Sequence, residues 1–143
     1  MLKQTLWVLT FAFGSASVAA FAAGPDVAGG RTVDVNGLQL YYQEQGTGTP
    51  LVLLHGFGGC GKNWKPFVAQ LAGHHRLLVV DLRGHGHSTN PQNSFTHRQA
   101  ARDVFTLLDS LGIDRFAAIG ASSGGMTLLH MATSQYARVE SMV

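Results

Sequence analysis

The sequence predicts an α/β fold: a mostly parallel sheet, entered through an N-terminal antiparallel hairpin and covered by helices on both faces. Three observations carry this. Leu51-Val52-Leu53-Leu54, Leu77-Leu78-Val79-Val80 and Phe116-Ala117-Ala118-Ile119 are continuous apolar runs, not alternating ones. A strand reads that way when both its faces are buried, as in a parallel sheet between helix layers. The segments between these runs repeat apolar residues at helical spacing. Ahead of them, two short β-patterned runs meet at Asn36-Gly37, the strongest short hairpin signal, because both residues tolerate positive φ.

Taken in order, Thr32 to Val35 and Leu38 to Gln45 are the arms of the hairpin, and Gly46, Gly48 and Pro50 close it. After the first apolar strand, Trp64, Phe67, Val68 and Leu71 mark one helix. Val104, Leu107, Leu108 and Leu111 mark a second, ended by Gly112 in the C-cap position, and Met126, Leu129 and His130 begin a third. A hairpin followed by β-α-β-α-β-α is an antiparallel edge feeding an open sheet with right-handed crossovers. There is no internal repeat and no low-complexity tract.

With 143 residues, 45% apolar and 13% charged, the chain has the balance of one globular domain. Its net charge of +2 comes from ten basic and eight acidic residues without runs, so no basic stripe points to nucleic acid. Residues 1–22 read as a secretory signal: Lys3 is the positive start, Leu6 to Phe13 the apolar core, and Ala20 and Ala22 the small-x-small cleavage pair. The apolar run falls short of the about 20 residues a membrane span wants. The expectation is therefore export, to a secreted or periplasmic location, with no stable membrane span after cleavage. An uncleaved anchor is the alternative. Residues 23–30, with Pro25, form a flexible lead-in, and residues 31–143 form the domain. The lone Cys60 has no intramolecular disulfide partner and reads as a packed or idle thiol.

Three motifs fall at the C-terminal ends of the parallel strands, where open α/β sheets bind ligands. Gly120-Ala121-Ser122-Ser123-Gly124-Gly125 follows one strand and precedes a helix. That is G-x-S-x-G in the strand–turn–helix setting of a nucleophile elbow. The sharp turn strains Ser122 and exposes its hydroxyl at a helix N-terminus. Gly120 and Gly124 flank it because a Cβ there would meet the neighbouring strand or helix. A looser register centred on Ser123 also fits, but the strand end at Ile119 favours Ser122. His55-Gly56-Phe57-Gly58-Gly59 follows Leu54. An acyl-transfer site needs one N–H after the nucleophile and one from this loop, which assigns the oxyanion donors to the backbone of Ser123 and Phe57. His55 and Gly56 then support the loop. The third motif is Asp81-Leu82-Arg83-Gly84-His85-Gly86-His87-Ser88. Metal binding by His85 and His87 lacks a suitably spaced third ligand.

Together the three motifs resemble the α/β-hydrolase superfamily, in its serine-dependent, lid-bearing, esterase-like branch, over residues 31 to 143. The resemblance implies the α/β-hydrolase fold and a loop-tying role for Asp81 and Arg83. Ser122 in the nucleophile position argues against the dehalogenase and epoxide-hydrolase branches, which use Asp. The implied chemistry is attack of Ser122 on a small-molecule ester or related acyl substrate, through an acyl-enzyme, with no metal or organic cofactor. Peptidase, C–C hydrolase and acyltransferase activities stay open, as does a catalytically inactive binding module on the same fold. Nothing in the sequence sets the oligomeric state.

The triad of this superfamily runs Ser, then Asp or Glu, then His. After Ser122 the only histidine is His130, about 12 Å up the same helix, and the only acid is Glu140. His130 is expected to be buried or to line a groove, and His74, His75 and His97 to face solvent. The sequence thus reads as the N-terminal half of a truncated hydrolase. It is expected neither to turn over substrate nor to fold stably alone, partly because the strand ending at Ile119 would keep an unpaired apolar edge.

Overall fold

A computed structural model describes residues 29–143. The signal expected over residues 1–22, and residues 23–28 of the lead-in, lie outside the described residues. The elements run β1 (Gly30–Val35), β2 (Leu38–Gln45), β3 (Thr49–Leu54), a 3₁₀ turn (Gly61–Trp64), α1 (Lys65–Ala72), β4 (His75–Val80), α2 (His97–Ser110), β5 (Phe116–Gly120), α3 (Ser123–Ser134), a second 3₁₀ turn (Tyr136–Arg138) and β6 (Val139–Met142). They form one sheet of order β1-β2-β4-β3-β5-β6. The pairs β1/β2 and β2/β4 are antiparallel and the rest parallel. This is the α/β fold the sequence predicts, with the hairpin at one edge. Asn36 and Gly37 both take positive φ, 47° and 78°, the backbone a two-residue hairpin turn demands.

Handedness explains where the helices go. The step from β3 to β4 runs one way along the sheet, and the steps from β4 to β5 and β5 to β6 run the other way. Right-handed crossovers then place α1 on one face and α2 and α3 on the opposite one. Burial agrees. Val52, Leu54, Leu78, Val80, Phe116 and Ala118 pack with Ala100, Val104, Leu108, Leu128 and Met131 of α2 and α3. Leu51, Leu53, Leu77 and Val79 face Val68 of α1, with Trp64 and Leu71 beside it. Alternate residues of one apolar run thus feed two cores, which is why the runs are continuous. Each such fully buried side chain contributes roughly 1.5–3 kcal/mol.

Several local expectations need correction. The first helix begins at Lys65, with Pro66 in its first turn; Trp64 belongs to the preceding 3₁₀ turn, and Phe67 is exposed. Leu111 is the C-cap of α2, and Gly112 stands one residue further, at φ 65°, the left-handed position after a helix end. In α3 the inward face carries Gly124, Thr127, Leu128 and Met131, whereas Met126 and Leu129 are exposed. The β5 edge expected to be bare is covered. β6 pairs along it in parallel, and Gly120 N–H to Val143 O (2.8 Å) and Val143 N–H to Ala118 O (3.0 Å) extend the ladder.

Candidate active site

β3 and β5 are neighbours whose continuing chains leave for opposite faces of the sheet, so the loops leaving their C-terminal ends diverge and leave a crevice. Into it project His55–Gly59 from β3 and the β5–α3 turn. Ser122 stands at the tip of that turn with φ 50° and ψ −109°. Backbone of that kind costs a non-glycine residue about 1–3 kcal/mol and persists only where the surroundings enforce it. Here backbone enforces it. A Cβ on Gly120 would lie 2.6 Å from Gly124 C and Gly125 N, and one on Gly124 would collide with the carbonyl oxygen of Leu54. Ala121 N–H also donates to Leu54 O at 3.0 Å. The turn is thus pressed between the end of β3 and the start of α3.

The His55–Gly59 loop lies against this turn. A Cβ on Gly56 would sit 3.4 Å from Ala121 O and 3.6 Å from Ser122 Cβ, ordinary contact distances between the two packed turns. The Ser122 side chain makes no capping bond and is exposed. Among the described residues, the backbone N–H groups of Phe57 and Ser123 have no acceptor. Two free amides, with that of Ser123 at the N-terminus of α3 where the helix dipole favours negative charge, are donors of the kind a developing oxyanion requires. Ser123, by contrast, starts the helix, and its carbonyl accepts from Thr127 Oγ1 (3.1 Å).

His55 is buried, 1% exposed. Its Nε2 accepts from Leu82 N–H at 2.9 Å, which leaves the ring proton on Nδ1, 2.8 Å from Gly56 O. Burial holds its pKa below the ordinary imidazole value, with His85 pushing the same way and the bond to Gly56 and the Asp81 carboxylate opposing. A neutral imidazole with both nitrogens engaged braces the loop and offers no free lone pair.

The Asp81–Ser88 loop is saturated. Asp81 Oδ1 accepts Gly61 N–H (2.6 Å) and Oδ2 accepts His87 N–H (2.9 Å), with His87 Nδ1 at 3.3 Å. Ser88 Oγ donates to Asp81 O (2.6 Å) and accepts from Tyr41 N–H (2.8 Å). Arg83 makes a two-pronged buried pair with Asp103 of α2 (2.6 and 3.0 Å), and Asn36 of the hairpin turn donates to the same carboxylate (2.9 Å). His85 packs between the rings of His55, Phe57 and Phe95, and His87 lies on Tyr41. Among the described residues no cluster of three or more His, Cys, Asp or Glu is arranged to hold a metal.

The remaining histidines divide. His74 is exposed. His75 is half-buried with an unpartnered Nδ1. His97 is half-buried, 3.3 Å from Thr127 Oγ1, set edge-on to Phe95 and stacked on His130. The expectation of exposure therefore fails for His75 and His97, because each contacts elements far away in sequence. His130 lines a groove, as expected. Glu140 forms an exposed pair with Arg115 (3.0 Å). Cys60 is half-buried and starts the 3₁₀ turn, its N–H donating to Asn63 Oδ1 (2.8 Å).

Beside the crevice, on the α1 side, opens a groove of about 340 Å³ whose walls include Phe57, Asn63, Trp64, Phe67 and Ala121. Trp64 Nε1 is buried there without a partner. Sequence reading placed Trp64 and Phe67 in the helix core and did not single out Asn63. The one signal available was a pair of bulky aromatics directly after a glycine-rich loop.

The sequence profile of the alpha/beta hydrolase fold matches residues 49–143. A soluble epoxide hydrolase of Corynebacterium sp. (strain C12) is 37% identical over 98 residues, covering 68% of this chain and 34% of the relative. A pimeloyl-[acyl-carrier protein] methyl ester esterase of Vibrio vulnificus (strain YJ016) is 39% identical over 93 residues, covering 65% and 34%. Among solved structures, Est816, described as an N-acyl homoserine lactone degrading enzyme, aligns with a TM-score of 0.75 at 33% identity, covering 78% of this chain and 43% of its own. The chain spans about a third of the length of the curated relatives it matches. With that profile over most of its length and that structural match, the chain belongs to the α/β-hydrolase family.

Proposed function

We propose that this α/β-hydrolase is an exported serine hydrolase acting on carboxylic esters or related acyl compounds, with Ser122 as nucleophile. One observation carries the reading: the strained, exposed Ser122 shares a crevice with the unengaged N–H groups of Phe57 and Ser123. Ser122 Oγ attacks the acyl carbon as its proton passes to a general base, and the amides hold the carbonyl oxygen as it becomes O⁻. Collapse expels the alcohol, which takes that proton, and leaves an acyl-enzyme; water then releases the acid and regenerates Ser122. Among the described residues no imidazole contacts the Ser122 hydroxyl, so the proposal assigns the base and its acid to the part of its relatives' length that this chain does not span.

Similarity alone does not choose the branch, since an epoxide hydrolase and an ester hydrolase match about equally well. Ser122 at the tip of the elbow supports the ester-hydrolysing branch. The aromatic groove of Phe57, Trp64 and Phe67 favours an apolar acyl or alkoxy group. Export rests on residues 1–22, and N-terminal sequencing of secreted material is expected to begin at Ala23 or within a residue or two; material beginning at Met1 rules cleavage out. For the nucleophile, a fluorophosphonate probe on the full-length protein is expected to lose its label in Ser122→Ala and keep much of it in Ser123→Ala, which retains its amide. The reverse pattern moves the nucleophile to Ser123. An unlabelled wild type leaves a binding module on the same pocket as the better description.

A further inference from the structure

We infer that the groove between α2 and α3, away from the Ser122 crevice, is an anion site that takes a phosphate ester group. The groove has a volume of about 310 Å³ and is lined by Arg98, Ala101, Arg102, His130, Thr133 and Ser134, with no carboxylate. That is the small end of the range for ligand pockets. Among the described residues Arg31, Arg76, Arg83, Arg115 and Arg138 are each ion-paired. Arg98 and Arg102 are not; no hydrogen bond or ion pair engages either guanidinium. They stand one turn apart in the first half of α2, a helix of 14 residues, so both forks reach the same opening. His130 is held across from them by its stack on His97, with rings 6.4 Å apart and 15° from parallel.

The chemistry selects phosphate over carboxylate. One guanidinium fork already satisfies a carboxylate, whereas two forks and an imidazole around one opening match a tetrahedral group with three free oxygens. The N-terminal half of α2 adds its dipole in the same sense. Thr133 Oγ1 and Ser134 Oγ donate to Leu129 O (2.8 Å) and His130 O (2.7 Å) within α3, and each hydroxyl can rotate to donate to a bound anion instead. Like charges at i and i+4 repel slightly along a helix, so setting Arg98 beside Arg102 gains α2 nothing by itself.

A soluble phosphate ester and a phospholipid headgroup present the same group, and the test separates them. Full-length protein is titrated with inorganic phosphate at low ionic strength, where exposed charges are least screened. In parallel it is sedimented with phosphatidylcholine vesicles with and without phosphatidic acid. Saturable phosphate binding is expected, weakened about tenfold or more in the Arg98→Gln/Arg102→Gln double variant and in Thr133→Glu, which sets a carboxylate among the cations. Arg115→Gln, at an exposed ion pair elsewhere, is expected to stay within about twofold. Phosphatidic-acid-dependent sedimentation lost in the same variants identifies the headgroup as the source; its absence beside saturable phosphate binding identifies a soluble ester. No saturable binding in either arm, or a double variant that binds like the wild type, overturns the inference.

Discussion

The loops that follow β4 and β5 differ in what their polar groups do. After β4, Asp81, Arg83 and Ser88 place each charge and hydroxyl on a partner inside the chain. After β5, and in the facing loop from β3, a hydroxyl and two amides point at nothing, and one residue holds a strained backbone to keep them so. The first arrangement is architecture. The second leaves its polar groups open to solvent around a strained backbone, and strain of that kind clusters at functional sites. The two loops carry equally conspicuous sequence motifs, and only their hydrogen bonding tells them apart.

Substitution is the way to break that contrast. The largest effect is expected at Ser122→Gly in the full-length protein: turnover of an activated ester falls by about 10⁴ or more, as when a nucleophile is removed. Its stability is unchanged or rises by up to about 1 kcal/mol as the strain is relieved. A clear loss of stability would show that Ser122 is a structural residue after all. The loop after β4 is expected to respond the other way. Asp103→Leu leaves Arg83 buried without its counter-charge and costs about 3–5 kcal/mol in denaturant unfolding, while Arg83→Met combined with Asp103→Leu recovers most of it. Asp81→Asn weakens the bonds to the amides of Gly61 and His87, and about 1.5–3 kcal/mol is expected. A purely catalytic defect in either variant, with the melting curve unmoved, would erase the distinction between the loops.

The smallest effect is a pH dependence from His55. Its folded-state pKa lies below 6.5 because burial opposes the charged form. The unfolded chain therefore binds more protons below about pH 6.5, and stability rises with pH there. The contribution is complete above the unfolded value and is lost as pH falls toward the depressed folded one. His55→Gln is expected to flatten that part of the stability profile, measured by unfolding between acid and neutral pH. An unchanged slope assigns the dependence elsewhere.

What was legible beforehand was local. The runs at Leu51, Leu77 and Phe116, the Asn36-Gly37 turn and the strand–turn–helix setting of Ser122 are each written within a few consecutive residues, and each folds as written. What stayed hidden was non-local. No spacing rule links Arg83 to Asp103, or Asn36 to Asp103 across the length of the domain. The burial of His97 depends on Phe95 folding back and on Thr127 and His130 arriving from α3. Helical periodicity also says which residues share a face but not whether that face is covered. Hence Phe67 and Met126, read as helix markers, turn outward.

The carbonyl of Leu54 touches both halves of the crevice: it receives the amide of Ala121 and abuts Gly124, and its own chain continues into His55 and Gly56. At Leu54 the separation between Ser122 and the His55–Gly59 loop is therefore gauged from main chain to main chain, while the His55 side chain braces the loop from behind. A protein engineer can exploit this. The groove walls at Trp64 and Phe67 can be recut without touching the contacts that Leu54 makes, whereas Asn63 holds the amide of Cys60 and so belongs to the loop's own anchoring. Substitutions that put a Cβ on Gly120 or Gly124 alter the ruler itself.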